Sequence, residues 1–323
     1  GKHYEFAFLA DFADTHSTIV RDFYLNVKPI PEIQFQFGQF KEPFAQELLT
    51  SGAYLDFTER SLASLLYPSP TTFRSPGAMI HGDLIGGAMQ YWAGAFNGKG
   101  TENLNTTSTP EGVGRLRFRP WRNTSNEWLK GLAIGGAFSL GKSGPNSSSF
   151  STLLPDGTLT FFKANPINGP VTRANGDFTW TKGPFALSGE YDQLNQFRHR
   201  LGARSTNLRG VVGKGYYAAA TYLLTGERKQ ENAQPKPRHT FLMGEHGVGA
   251  WELKFRYANL LAADGRQENR VDEFSSGINW YPNNFVRYMI DFNVERLKNP
   301  VSSPVALAPQ TFLSVIQRVQ FRF

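Results

Sequence analysis

Thr311-Phe312-Leu313-Ser314-Val315-Ile316-Gln317-Arg318-Val319-Gln320-Phe321-Arg322-Phe323 is the stretch that decides the fold. Taken two residues at a time, Leu313, Val315, Val319, Phe321 and Phe323 share one face, while Ser314, Arg318, Gln320 and Arg322 share the other. The segment is an extended strand with an oily side and a charged side. The pattern recurs upstream. Trp251, Leu253, Phe255 and Tyr257 alternate with Glu252, Lys254 and Arg256. Val286, Tyr288, Ile290, Phe292 and Val294 alternate with Arg287, Asp291, Asn293 and Glu295. From His3–Phe12 onward about fourteen such segments follow one another, separated by turn signals.

Composition narrows what these strands can build. Mean hydropathy is −0.38, and no apolar run approaches the length that a membrane-spanning helix requires, so any membrane crossing is made by strands. The chain has 27 Phe, 12 Tyr and 32 Gly, a mixture that supplies outward rings and tight turns. It has no cysteine, which is compatible with an oxidising compartment but does not select one. A formal charge of +7 raises the possibility of nucleic acid, yet no motif of that kind is present and no nucleic-acid partner is expected.

Connection lengths alternate. Short turns are expected at Pro29-Ile30-Pro31, Gly86-Gly87, Gly183-Pro184 and Pro282-Asn283-Asn284. Long loops are expected at Lys41–Pro76, Asn97–Gly112, Lys142–Arg173, Gln193–Lys214, Leu260–Val271 and Arg296–Gln310. Short turns on one side and long loops on the other are the pattern of a transmembrane antiparallel β-barrel. Thr225–Val248 breaks it, being long on the short-turn side. Charges facing hydrocarbon at mid-depth would cost about 2–4 kcal/mol each for Lys or Arg, so the charged faces are assigned to the lumen. A soluble β-sandwich, with the apolar faces turned inward, is the competing architecture.

The terminal Phe323 resembles the last residue of bacterial outer-membrane barrels. Further stretches resemble the phosphate-selective porin O and P family. They are Arg21-Asp22-Phe23-Tyr24-Leu25, Gly38-Gln39-Phe40-Lys41-Glu42-Pro43-Phe44, Tyr54-Leu55-Asp56-Phe57-Thr58-Glu59-Arg60-Ser61-Leu62, Phe96-Asn97-Gly98, Gly215-Tyr216-Tyr217, Leu224-Thr225-Gly226-Glu227, Gly249-Ala250-Trp251-Glu252-Leu253 and Gly277-Ile278-Asn279-Trp280-Tyr281. The resemblance implies an all-β barrel of about sixteen strands, a homotrimer in the bacterial outer membrane, contact with its lipid and lipopolysaccharide, and passage of small anions such as phosphate. It implies that residues 1–323 form one barrel domain lacking the family's first two strands. It also implies that segment 41–76 is an external loop folded inward to narrow the pore, with Arg60 at the constriction.

The residues themselves suggest where an anion would be held. In Val113–Trp121, Arg115, Arg117 and Arg119 recur at every second position, so on a strand they project to one face about 7 Å apart. Leu116 and Phe118 take the other face. Guanidinium forks stacked along a pore wall attract oxyanions and bind two oxygens at once. The bland alternative is pairing with carboxylates on adjacent strands. Lys41 and Arg74 lie in the inward-folding segment with Arg60. Parity places Lys28, Arg173, Lys254, Arg256, Arg287, Arg318 and Arg322 in the lumen. Arg198, Arg200, Arg204 and Arg209 are expected in an external loop, as a funnel or a lipopolysaccharide contact. Asp56 and Glu59 are read as caps of a short helix in preference to ion-pair partners. Phe44, Tyr54, Leu55, Phe57, Leu62, Leu65 and Leu66 should seat the loop on the wall. The six histidines show no metal-ligand spacing. No metal, cofactor or catalytic group is expected, and the chain is read as a channel, not an enzyme. Two further readings are a weakly selective general porin and a loop-plugged structural or adhesin barrel.

Overall fold

The computed structural model describes residues 3–12, 20–69, 73–98, 109–150, 152–153, 160–162, 165–241, 246–266, 268–298 and 310–322. The strands are β1 (Tyr4–Ala10), β2 (Val20–Ile30), β3 (Ile33–Lys41), β4 (Arg74–Leu84), β5 (Met89–Phe96), β6 (Glu111–Phe118), β7 (Leu132–Ser148), β8 (Thr152–Leu153), β9 (Thr160–Phe162), β10 (Pro166–Lys182), β11 (Phe185–Arg198), β12 (Leu208–Leu223), β13 (Ala250–Ala263), β14 (Glu268–Tyr281), β15 (Val286–Lys298) and β16 (Gln310–Phe321). All but β8 and β9 join one 14-stranded antiparallel sheet in chain order, while β8 and β9 form a separate two-stranded ribbon. Among the described residues β1 and β16 are the two edges of the sheet and do not pair with each other. Phe323 lies outside the described residues.

Burial along the strands separates a barrel from a soluble sandwich. On β13, Glu252 and Lys254 are 0% exposed while Phe255 is 55% exposed. On β15, Arg287 and Asp291 are buried while Phe292 is exposed, and on β16 Leu313, Val315, Val319 and Phe321 are exposed. A sheet in water buries its apolar face; here the ionised face is inside and the aromatic face outside. Rings gather near the short-turn end. Trp128 stacks on Trp180 at 5.9 Å, Trp251 on Trp280 at 5.5 Å, and Phe241 meets Trp280 edge-on at 5.2 Å. Such a ring belt suits the boundary between hydrocarbon and headgroups.

The short turns form where glycine, proline and asparagine punctuate the sequence. Gly86 and Gly87 have φ of 60° and 81° in the turn after β4, and Gly183 has φ of 55° after β10. Asn283 accepts hydrogen bonds at Oδ1 from the backbone N–H groups of Phe285 and Val286, at 2.8 and 2.9 Å, and so closes the turn before β15.

Several connections expected to be long are shorter, because the strands run past the expected ends. β7 continues to Ser148 and β10 starts at Pro166, shrinking the Lys142–Arg173 loop. β11 and β12 absorb Arg198 and Arg209 from the Gln193–Lys214 loop. Leu260–Val271 is not a long loop: β13 ends at Ala263 and β14 starts at Glu268. At this end the inner face turns apolar, with Leu194, Val211, Leu260, Val271 and Leu297 in one buried cluster with Leu62 and Leu66. Where both faces of a strand are apolar, alternation disappears from the sequence. In the other direction, β6 stops at Phe118, so Arg119 lies just past the strand.

Candidate functional site

The inner wall carries the predicted cations, and their geometry begins at β6. Glu111, Val113, Arg115 and Arg117 face inward and buried, and Leu116 and Phe118 outward. Arg115 reaches β10, where its two terminal nitrogens donate to the two carboxylate oxygens of Asp177 at 2.6 and 3.0 Å. It also donates to the carbonyl oxygen of Phe44 at 2.6 Å. Both side chains of the pair are essentially fully buried, at 0% and 1% exposure. Gly135 on β7 makes the space, since a Cβ there would lie 2.5 Å from Asp177 Oδ1 and 2.7 Å from Arg115 Nη2. Arg117 donates to Thr179 Oγ1 at 3.0 Å and pairs with Glu231, which also meets Arg119 at 3.2 Å.

The segment between β3 and β4 folds across the lumen and is held by its own backbone carbonyls. Its short helix α1 (Gln46–Leu49) ends under the Lys41 ammonium, which donates to the carbonyls of Leu48, Leu49 and Thr50 at 2.8, 3.3 and 2.8 Å. A cation at a helix C-terminus meets carbonyls that lack intrahelical partners. Arg60 donates to the carbonyls of Glu47 and Thr50, with its guanidinium 5.1 Å from the Phe73 ring centre. From the far wall Arg287 donates to the Leu55 carbonyl at 2.8 Å, Lys254 to that of Asp56 at 3.0 Å and Arg256 to that of Glu59 at 2.9 Å. Lys254 and Arg256 are also paired with Asp291 at 2.6 Å and Glu273 at 2.9 Å.

Apolar contacts complete the seating. Phe44, Phe57, Leu62 and Leu66 are buried. A Cβ at Gly213 or Gly215 on β12 would come within 2.4 Å of Leu66 or 2.9 Å of Ala63, so the glycines let the 3-10 turn Leu62–Leu66 approach the wall. Asp56 and Glu59 do not cap a helix. Asp56 pairs with Lys229 and Glu59 with Arg318 at 3.1 Å, because both lie in the crossing segment opposite cations of other elements.

The connection between β12 and β13 enters the same space from the short-turn end. Lys229 pairs with Asp56 and, at 2.5 Å, with Glu252. Burial alone would lower the lysine pKa, but the two carboxylates outweigh it and hold it above its ordinary value. Thr50 Oγ1 donates to Asn232 Oδ1 at 3.2 Å and Gln234 Nε2 to the Ala53 carbonyl at 3.4 Å. Two segments from opposite ends therefore meet inside the sheet. A space of about 100 Å³ lies between them and the β10–β12 wall, flanked by Glu47, Asp56, Glu59 and Glu231 and by Lys229 and Arg256.

The family model described as Phosphate-selective porin O and P matches residues 1–323. The chain belongs to this family. Porin O of Pseudomonas aeruginosa is 24% identical over 284 residues, 79% of this chain and 63% of that protein, so the chain spans about 63% of the length of that curated relative. Among solved structures, OmpT of Vibrio cholerae in its trimer form matches with a TM-score of 0.55 at 11% identity, covering 94% of this chain and 80% of that one. An anion-selective porin from Comamonas acidovorans matches with a TM-score of 0.58 at 11% identity, covering 94% and 78%. These likenesses establish the barrel fold, and with the family they place the porin in the bacterial outer membrane. Porins are passive channels, not enzymes.

In this member of the porin family the predicted residues divide by partner. Arg115, Arg117, Arg119, Lys254, Arg256 and Arg318 each meet a carboxylate. Arg74 forks onto Asp22 with two contacts of 3.0 Å. Arg173 pairs with Glu111 at 2.6 Å, Lys28 pairs with Glu5, and Arg322 lies 5.3 Å from the Tyr54 ring centre. Lys41, Arg60 and Arg287 instead meet carbonyl oxygens. Arg198, at the end of β11, donates to the Pro166 carbonyl at 3.0 Å.

Sequence reasoning missed the buried acids of β11 and of the crossing segment. Glu190 on β11 accepts from the Glu47 N–H and from Tyr67 Oη, both at 2.5 Å. Glu47 in turn accepts from Ser61 N and Oγ at 3.0 and 2.9 Å. Burial and these carboxylates raise the Tyr67 phenol well above its ordinary pKa. Glu190 and Asp192 share inward parity on β11, a signal that alternation in the sequence carries.

Proposed function

We propose that the chain is a porin through which small anions, phosphate or related oxyanions, diffuse passively. Segment 42–73 narrows the path inside a single barrel domain, which works as a trimer. The observation that carries the anion reading is that Arg60 and Arg287 approach the crossing segment with carbonyl oxygens as partners. A cation held by neutral dipoles keeps its full charge in the local potential, whereas one paired with a carboxylate does not. The family description, the name of the Comamonas protein and the net charge of +7 support the same direction. The trimer is supported by the OmpT form. Exposed Arg204 and Arg209 at the loop end suit the phosphates of lipopolysaccharide.

The space between the two crossing segments favours a second reading, a general porin of mixed charge, since four carboxylates and two cations flank it. Planar-bilayer recording in a potassium chloride gradient separates the two. The anion reading expects a reversal potential of the sign set by chloride, and chloride current blocked by millimolar phosphate. A reversal potential set by potassium would remove the anion assignment.

A further inference from the structure

At the short-turn end a cavity of about 240 Å³ opens between the turn after β10, the β6–β7 connection and the segment following β12. Lys130, Lys182, Arg228 and Lys229 line it against two carboxylates, Glu127 and Glu231. Glu127 is engaged at the rim by Lys130 at 3.6 Å and Arg228 at 3.1 Å. Glu231 is different. It borders both this vestibule and the inner space, and its carboxylate sits on two cations, Arg117 and Arg119. Thr179 Oγ1, which accepts from Arg117 at 3.0 Å, lies 3.5 Å from the same carboxylate oxygen.

This arrangement is an oxyanion site with its ligand already present. Two guanidinium groups and a hydroxyl converge on one pair of oxygens, as they would on phosphate or a carboxylate. The ligand belongs to the chain and is carried on a connecting segment, not on the wall. Lys229, two residues away, is 7% exposed and clamped by Asp56 and Glu252, which keeps the segment seated. The Glu231 and Arg119 side chains are 24% and 30% exposed, so solvent and a small anion can reach the contact. A tethered carboxylate competes with a free anion through its high effective concentration.

We propose that Glu231 is a built-in anion, filling a site formed by Arg117, Arg119 and Thr179, and that an oxyanion crossing the channel displaces it. The displacement step rests on the porin reading above; the occupied site does not. Glu231 then sets how tightly the pore holds its anion: with the carboxylate in place, phosphate binds weakly and leaves quickly, and without it the same arginines retain phosphate. A merely structural Glu231 would hold the segment in place and leave phosphate binding alone.

The test is inorganic phosphate titrated calorimetrically into detergent-solubilised full chain. Wild type is compared with Glu231→Gln, with Glu231→Asp, which keeps the charge, and with Glu268→Gln, which removes one charge at the far end. Folding of each is checked by the mobility shift of unheated barrel on a gel. Glu231→Gln is expected to bind phosphate about fivefold or more tightly than wild type, the lower end of typical site coupling, with Glu231→Asp and Glu268→Gln near wild type. Equal affinity of folded Glu231→Gln and wild type overturns the proposal, as does an equal gain in Glu268→Gln. Bilayer recordings run in parallel report ion preference separately, so tighter phosphate binding in a channel that prefers potassium would remove the anion-selective reading and keep the site.

Discussion

At the scale of single residues, the inner wall works by pairing charges that could not stand alone. Arg115 and Asp177 are both buried, and each is the other's counter-charge. Removing one member leaves an uncompensated ion at a cost of about 3–5 kcal/mol, whereas replacing both by apolar groups of similar volume is often neutral. Arg115→Met should therefore lower the stability measured by urea titration in lipid vesicles by that amount. Arg115→Met combined with Asp177→Leu should recover most of it. If the single and double variants lose equally, the pair is not what stabilises this wall. The inward direction of Arg115 and Arg117 was legible from alternation alone, since Leu116 and Phe118 alternate with them. Their partners were not, because Asp177 and Glu231 are 62 and 114 residues away in the chain and strand register is set only by the folded sheet.

At the scale of elements, the crossing segment 42–73 is docked partly through an acid that burial keeps protonated. Glu42 is 0% exposed, accepts from Ser69 Oγ at 3.1 Å and has its pKa raised from 4.5 to about 8. Burial is the main cause and the nearby Glu111 the second, with Arg173 opposing. With the folded pKa above the unfolded one, the folded state binds the extra proton between these values. The contribution is present in full below about 4.5 and is lost as pH rises through about 8. Limited proteolysis of the segment should accelerate between pH 6 and pH 9, and Glu42→Gln should flatten that dependence; a profile unchanged by the substitution would assign it elsewhere. Phe44, Phe57, Leu62 and Leu66 announced in the sequence that this loop packs. That it is held by carbonyl groups was invisible, since every residue has one. The second crossing segment, 224–249, showed only as an oddity of length on the short-turn side; nothing local marks Lys229 or Glu231 as lumenal until Asp56 and Arg117 are seen beside them.

At the scale of the whole molecule, the decisive property is an inversion: ionised groups inside, rings outside. Fold class was legible because one periodicity runs through nearly every strand, from Phe6 and Phe8 on β1 to Val319 and Phe321 on β16. It failed where inner faces became apolar under the loop, as at Leu260 and Val271. The inversion has a direct test at Phe255, which is 55% exposed on β13 between Trp251 and Tyr257. On a protein surfaced by water, Phe255→Arg is an exposed substitution and should change stability by no more than about 0.5 kcal/mol. On a barrel surfaced by hydrocarbon, the same change near mid-depth should cost about 2–4 kcal/mol. Urea titration of refolding into phosphatidylcholine vesicles measures the difference, with Tyr222→Arg, nearer the ring belt, expected to cost less because the charge reaches headgroups. A penalty that is absent at Phe255, or equal at the two positions, would mean that this face does not meet lipid. A graded penalty fixes which way the sheet faces by energy alone, independently of any likeness to other porins.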